Sequence, residues 1–318
     1  MREAISQALW EEMERDPKIF IMGEEVGVWG GSYAVTKGFY DHFGGERVKD
    51  TPISEAAIIG GAIGAALTGC RPVAELMTIN FAFVAMDHIV NEAAKLHYMF
   101  GGQFVLPLVI RAVSGGGRQL GATHSQTPDV IFAHFPGLKV VAPGTPADAK
   151  GLLKEAIRIN DPVLFIEEAT LYQTRGEVPE GDYTVPIGKS TVQRPGSDVT
   201  IVTYSKMLQV SLSAATQLAS EGIQAEVVDL RTLRPLDMDP VIESFKKTNH
   251  AVIVEEGWKS YGVGAEIESR IYEQAFDYAD APIKRVAQIE VPLPYNRTLE
   301  QSALPQVKDV VAAVKEVL

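Results

Sequence analysis

Four polar clusters interrupt the first part of the chain, three of them directly after short apolar runs and one before a Gly-rich helical run. They are Glu24-Glu25 in "FIMGEE", Ser54-Glu55 in "DTPISE", the polar pair of "MTINF", and "SGGGRQLGATHSQTPD". Glu55 poses the sharpest chemical question, because it stands directly before "AAIIGGAIGAALTG", a run of small and apolar residues. Burying a charge is costly unless it is paired, so a carboxyl group beside a segment that looks built to be buried is out of place. His124 lies in a Gly/Ser/Thr loop and not on an apolar helix face, so proton transfer near neutral pH fits it better than a core role. His88 and His97 fall on helix-period sequence and read as structural or surface residues. Gly115-Gly116-Gly117 could cradle an anion through backbone N–H groups. Its spacing matches neither the P-loop nor the dinucleotide fingerprint, and a loop that needs positive φ explains it equally well. "GATHS" is not a nucleophile elbow, which leaves Ser125 little claim as a nucleophile. No Cys/His/Asp spacing suggests a zinc site.

The elements that must position these residues follow from pattern. "KIFIMGEEV", "RPVAELMTI", "LPLVIRAV", "GLKVVAP" and "PVLFIEE" read as strands. "EAAIIGGAIGAALTG", "FAFVAMDHIVNEAAKLHYMFGG" and "TPADAKGLLKEAIRIN" read as helices, the last with Thr145 as N-cap and Pro146 just inside. Strands alternating with helices imply an α/β fold with mostly parallel sheets covered on both faces, where ligands bind beyond the carboxyl ends of the strands. Tyr172 to Gly196 is polar and rich in Gly and Pro, and the alternation resumes with "DVTIVTY", "AEVVDL", "HAVIVEE" and "IKRVAQI". We therefore expect two domains, residues 1–175 and 197–318, joined by a linker at 176–196. Gly60 and Gly64, followed by Ala65, Ala66 and Gly69, leave one helix face almost bare. That face suits tight packing on the chain's own sheet or a close contact with another subunit.

With 318 residues, 46% of them hydrophobic and 22% charged, the chain can bury a substantial core. A net charge of −12 argues against nucleic acid as a ligand and is compatible with a basic protein partner. The single cysteine, Cys70, excludes an intrachain disulfide and reads as a packed residue in a reducing compartment. The amphipathic, acidic N-terminal stretch does not resemble a signal peptide, and no apolar run suits a membrane span. A cytoplasmic, bacterial-type protein is the expectation.

"DTPISE", "MTINF", "ATHSQ", "PGLKVVAPGTPADAKGLL" and "VVDLRTLRPLD", in that order, carry a resemblance that runs from about Glu3 to the C-terminus. The chain resembles the beta subunits of the thiamine-diphosphate-dependent decarboxylating component of 2-oxo acid dehydrogenase complexes. The resemblance implies a pyrimidine-binding domain followed by a transketolase C-terminal-like domain. It further implies an alpha subunit that holds the diphosphate and its Mg²⁺ in an α₂β₂ heterotetramer, consistent with the absence of a Gly-Asp-Gly motif here.

Residue by residue, Glu55 matches the glutamate that hydrogen-bonds the pyrimidine ring nitrogen, and Phe81 the aromatic that stacks on that ring. Glu24 matches an acid linked through water to the opposite active site. Ile53 and Met77 fall among the cofactor-binding positions. His124 matches a histidine near the substrate and the incoming lipoyl group. Ala156, Ile157, Ile159 and Asp161 fall where some relatives hold a structural K⁺. The implied reaction decarboxylates a 2-oxo acid oxidatively and transfers the remaining acyl unit to a lipoyl group on the acyltransferase, whose subunit-binding domain is a further expected partner. "GRQLGATHSQ" and "PYNRTLE" resemble pyruvate-type members in particular. Branched-chain 2-oxo acids and acetoin are the alternative substrates. A nicotinamide-dependent dehydrogenase or a non-catalytic scaffold are the rival classes, the first opposed by the missing G-x-G-x-x-G.

Overall fold

The computed structural model describes all residues from 1 to 318. The chain divides into two compact units, one of Met1–Ser114 with Ile131–Ile187 and the other of Gly115–Val130 with Gly188–Leu318.

The first unit holds strands β1 (Ile19–Gly23), β2 (Val48–Asp50), β3 (Arg71–Leu76), β4 (Val109–Ser114), β5 (Lys139–Val141) and β6 (Val163–Glu168). They lie in the order β5-β6-β4-β3-β1-β2, with every pair parallel. Its helices are α1 (Arg2–Arg15), α2 (Phe39–Phe43), α3 (Glu55–Leu67), α4 (Leu96–Met99) and α6 (Pro146–Arg158), while α5 (Asp129–Ala133) starts in the second unit and ends in the first. Ile5, Leu9 and Met13 of α1 and Leu152, Leu153 and Ile157 of α6 pack with Ile19 and Ile21 of β1 in one core. The two helices are also pinned by charge, for the fully buried Glu12 accepts a 2.6 Å bond from Arg158. Side chains alternate along a strand, so Met22 points to the opposite sheet face, where a Cβ on Gly61 of α3 would lie 3.6 Å from it. Thr145 caps α6 by accepting from the Asp148 N–H at 3.1 Å, with Pro146 at the first position.

The expected helix over "FAFVAMDHIVNEAAKLHYMFGG" is a correction. It is broken into a 3₁₀ helix (Ile79–Ala85), a π turn (His88–Ala93) and the short α4. Ile79, Ala82 and Ala85 are all buried at a spacing of three, the period of a 3₁₀ helix. The wider π turn, closed by the Ala94 N–H on the Ile89 carbonyl, then brings Ile89, Val90 and Ala93 to the interior.

The second unit holds β7 (Thr191–Arg194), β8 (Val199–Thr203), β9 (Ala225–Asp229), a short β10 (Thr232–Arg234), β11 (Ala251–Trp258) and β12 (Lys284–Gln288). Its five-stranded sheet runs β12-β11-β8-β9-β7, parallel except for β7. The helices are α7 (Lys206–Ser220), α8 (Asp239–Thr248), α9 (Val263–Ala275), α10 (Arg297–Ala303) and α11 (Val307–Val317). Leu208 and Leu218 of α7 and Val310 and Val314 of α11 pack on Val199, Ile201, Val227, Val252 and Val254. α11 starts with a reciprocal capping box between Gln306 and Asp309. No helix in either unit is long and apolar enough to cross a membrane.

Candidate functional site

In the first unit the carboxyl ends of three neighbouring parallel strands carry several of the predicted site residues. Gly23 pairs in register with Asp50 on one side and Glu75 on the other, and Glu75 pairs with Arg111. Glu24 leaves β1 at this row, Met77 to Phe81 leave β3, and Glu55 follows β2 after a four-residue link. Gly23 is demanded by packing, because a Cβ there would lie 2.5 Å from the Glu75 carbonyl oxygen. The loop after it is tied down by Gly27 N–H to Asp50 at 2.6 Å and by the Thr36 hydroxyl to the Val26 carbonyl at 2.7 Å.

Glu55 opens α3 and is buried, at 7% exposure. Glu24 is equally buried, and its Oε1 has no hydrogen-bond partner. Burial, followed by the negative charges of Glu55, Glu25 and Glu75, pushes the Glu24 carboxyl above the usual range. Phe81 is half-buried in a turn fixed from both ends: its N–H donates to the Thr78 carbonyl at 3.2 Å, and the Thr78 hydroxyl donates to Val113 of β4 at 3.2 Å. Met77 is half-buried beside it, whereas Ile53 is exposed.

Beneath this edge lies a buried ionic cluster. Arg111 donates to Glu75 at 2.6 Å and to both oxygens of Glu167 at 2.6 and 2.9 Å, and the Tyr172 hydroxyl donates to Glu167 at 2.7 Å. Burial drives Glu75 upward against the opposing pull of Arg111, and the two carboxylates hold Arg111 firmly protonated. The cluster carries no motif in the sequence. The signal available was a charged residue, Arg111, in the middle of an otherwise apolar strand.

His124 belongs to the second unit, and the carboxylates above belong to the first. It ends a single 3₁₀ turn, Ala122–His124, and is exposed, with Nδ1 2.9 Å from the Thr123 hydroxyl. The glycine loop that precedes it does not present its N–H groups for an outside anion. Gly116 N–H donates to Glu256 at 2.6 Å, while Gly117 and Gln119 donate to Glu300 at 3.0 Å. Gly115, Gly117 and Gly121 do have positive φ, and a Cβ on Gly121 would press to 2.4 Å from the Tyr295 ring.

Two of the carbonyls at the expected K⁺ positions already accept from a side chain. Arg71 donates to the Ile157 carbonyl at 2.9 Å and also to the Ile159 carbonyl, Ala156 is buried within α6, and the Asp161 carboxylate pairs with Lys139 at 3.3 Å. No cluster of three or more His, Cys, Asp or Glu side chains suits a metal ion. His88 bonds Glu92 at 2.9 Å and His97 the Phe104 carbonyl at 2.6 Å, consistent with structural roles.

Two family descriptions match: "Transketolase, pyrimidine binding domain" over residues 1–174 and "Transketolase, C-terminal domain" over residues 188–310. The chain is 49% identical over its whole length to a mitochondrial pyruvate dehydrogenase E1 component subunit beta of Dictyostelium discoideum, covering 90% of that protein. It is 51% identical to the pyruvate dehydrogenase E1 component subunit beta of Rickettsia felis, covering all of this chain and 97% of that one. For a mitochondrial subunit beta-1 of Arabidopsis thaliana the identity is 49%, over 99% of this chain and 88% of the relative. A solved structure described as a split gene transketolase, inactive beta4 tetramer, superposes with a TM-score of 0.80 at 29% identity, covering 100% of this chain and 97% of the other. The chain therefore belongs to the family of pyruvate dehydrogenase E1 component beta subunits, built from a transketolase pyrimidine-binding domain and a transketolase C-terminal domain.

Proposed function

We propose that this chain is the beta subunit of a thiamine-diphosphate-dependent pyruvate dehydrogenase and works with an alpha subunit in an α₂β₂ assembly. The observation that carries the reading is the buried carboxyl of Glu55 at the head of α3, on the same strand edge as the buried, unpartnered Oε1 of Glu24 and the half-exposed ring of Phe81. This set fits an aminopyrimidine, which needs a carboxyl for its ring nitrogen and an apolar face for its ring. When bound, thiamine diphosphate supplies the electron sink that lets a 2-oxo acid lose carbon dioxide. Glu55 would hold or release a proton at the pyrimidine nitrogen, Phe81 would offer a stacking face, and Ile53 and Met77 would flank it. Glu24, whose raised affinity for a proton follows from burial and three neighbouring carboxylates, would keep a proton available to the site. His124 would serve the substrate and the incoming lipoyl group by proton transfer.

Mg²⁺ and the diphosphate would be held by the alpha subunit. The acyltransferase's subunit-binding domain is the expected partner of the second unit. A carbonyl oxygen has two lone pairs, so a structural K⁺ near Ala156, Ile157, Ile159 and Asp161 would have to share the Ile157 and Ile159 carbonyls with Arg71. The pyruvate names of relatives at 49–51% identity favour pyruvate over branched-chain 2-oxo acids and acetoin.

Glu55→Gln tests the reading in the reconstituted alpha–beta enzyme. Gln keeps the size but cannot exchange the proton, so pyruvate decarboxylation should fall by about 10²-fold or more while the tetramer still assembles. Unchanged turnover would remove Glu55 from its role.

A further inference from the structure

The loop that presents His124 is clamped by two carboxylates that the proposed chemistry does not use. Glu300, on α10, is fully buried, and both its oxygens accept from the Gln119 N–H at 3.0 Å while Oε1 also accepts from Gly117 at 3.0 Å. Glu256, near the end of β11, is buried at 5% exposure and accepts from Gly116 N–H at 2.6 Å. Lys206 closes this second clamp, lying 2.8 Å from Glu256 and donating to the Gly116 carbonyl at 2.9 Å. Backbone N–H groups gathered in a turn form a nest for an anion, and here the protein supplies the anions itself. Burying a carboxylate is costly unless it is bonded, and bonds to a charged acceptor are about twice as strong as neutral ones. Two such groups directed at three N–H groups within four residues therefore fix this backbone far more tightly than its glycine content implies.

The same loop is wedged and closed by neighbours. A Cβ on Gly116 would lie 2.3 Å from Leu293, and one on Gly121 2.4 Å from Tyr295, so the segment before α10 bears directly on both glycines. Gly115 N–H donates to the Gln126 carbonyl at 3.1 Å across the base, and His124 N–H donates to Gly121 at 3.2 Å. The chain thus runs without slack from the clamped residues to the imidazole. "SGGGRQLGATHSQ" and "PLPYNRTLE", far apart in sequence, form one device.

We propose that Glu300 and Glu256 are positioning residues for His124, holding its loop so that the imidazole meets the acyl-accepting group in a fixed orientation. This rests on the role given to His124 above. Gln at either position matches the volume but offers one acceptor and turns an NH₂ donor toward the backbone N–H groups.

The test uses the reconstituted alpha–beta enzyme with two readouts: decarboxylation measured with an artificial oxidant, and acetyl transfer to a lipoylated domain. E300Q should lower kcat for transfer by about ten-fold or more with KM for the lipoylated domain within about two-fold, as expected of lost orientation. Its oxidant-coupled rate should fall by less than the transfer rate does, and amide exchange at Gly117 and Gln119 should accelerate. H124A/E300Q should transfer no more slowly than H124A alone, because the two act as one unit. Losses that multiply in the double variant, or normal transfer in E300Q, would overturn the inference. If H124A itself transfers normally, the histidine assignment fails and takes the inference with it, a case recognised by E300Q still exchanging faster at Gly117 and Gln119. Should E300Q not assemble with the alpha subunit, E256Q, which keeps the Glu300 bonds, is judged by the same rates, with H124A/E256Q as the double variant and amide exchange read at Gly116.

Discussion

Arg111 shows how much a single buried residue can hold. It is 2% exposed and bonds Glu75 and both oxygens of Glu167, so its loss would leave two carboxylates in a dry interior. Removing one partner of a buried ionic network costs about 3–5 kcal/mol, since the stranded charges remain desolvated. Arg111→Met should lower unfolding stability by that amount in urea titrations, and adding Glu75→Gln with Glu167→Gln should restore a good part of it. A loss below about 1 kcal/mol would mean that the carboxylates find other partners. At this scale the sequence was informative where a residue type was out of place. Glu55 before a bare apolar run and His124 in a polar loop both stood out. Glu300 did not, because a glutamate in "YNRTLEQ" looks like an ordinary surface helix residue until its N–H donors, some 180 residues earlier, are brought to it.

Among the elements, α9 shows a charge working against stability. Glu255 of β11 lies against the α9 N-terminus, accepting from Gly264 N–H at 3.0 Å, and both Gly262 and Gly264 are required there because a Cβ would reach within 2.7 Å of its oxygens. Burial nonetheless outweighs these bonds and Arg285, and pushes the carboxyl from 4.5 to about 7. The folded state therefore binds this proton more tightly than the unfolded state does. The associated stability is complete below pH 4.5, is lost as pH rises from 4.5 to about 7, and is absent above that. The shift corresponds to about 3 kcal/mol. Calorimetry of Glu255→Gln should show a flatter decline of Tm between pH 5 and 7 than the parent. An unchanged slope would mean that Glu255 titrates normally. Strands and capped helices were the legible elements, because alternation and caps are local. The segment after β3 was not, since the 3₁₀ and π turns answer to burial of Ile79, Ala82 and Ala85 against the rest of the unit.

At the scale of the whole molecule, the proposed cofactor site is shared, and the chain alone should be inactive. Purified with thiamine diphosphate and Mg²⁺ it should show no pyruvate decarboxylation, and adding the alpha subunit should restore it. Full activity from the chain alone would refute the shared site. The bare face of α3 bears on the same question. Gly60 lies where a Cβ would come 3.5 Å from His88, but a Cβ on Gly64 would meet nothing within 4 Å. A separation of 3.5 Å is ordinary van der Waals contact, so packing within the chain requires neither glycine.

The sequence by itself determined the α/β class, most strands and helices, the suspicious acid before α3 and the polar histidine loop. These are carried by local periodicity, by capping chemistry and by residue types that conflict with their surroundings. Only the tertiary structure decided that the glycine loop cradles Glu256 and Glu300 and that Arg71 serves the carbonyls of Ile157 and Ile159. It alone also brought Glu75, Arg111 and Glu167 into one buried cluster. The physical reason is common to all three: a charge withdrawn wholly or partly from water needs partners, and partners distant in sequence become neighbours only through strand register and helix packing.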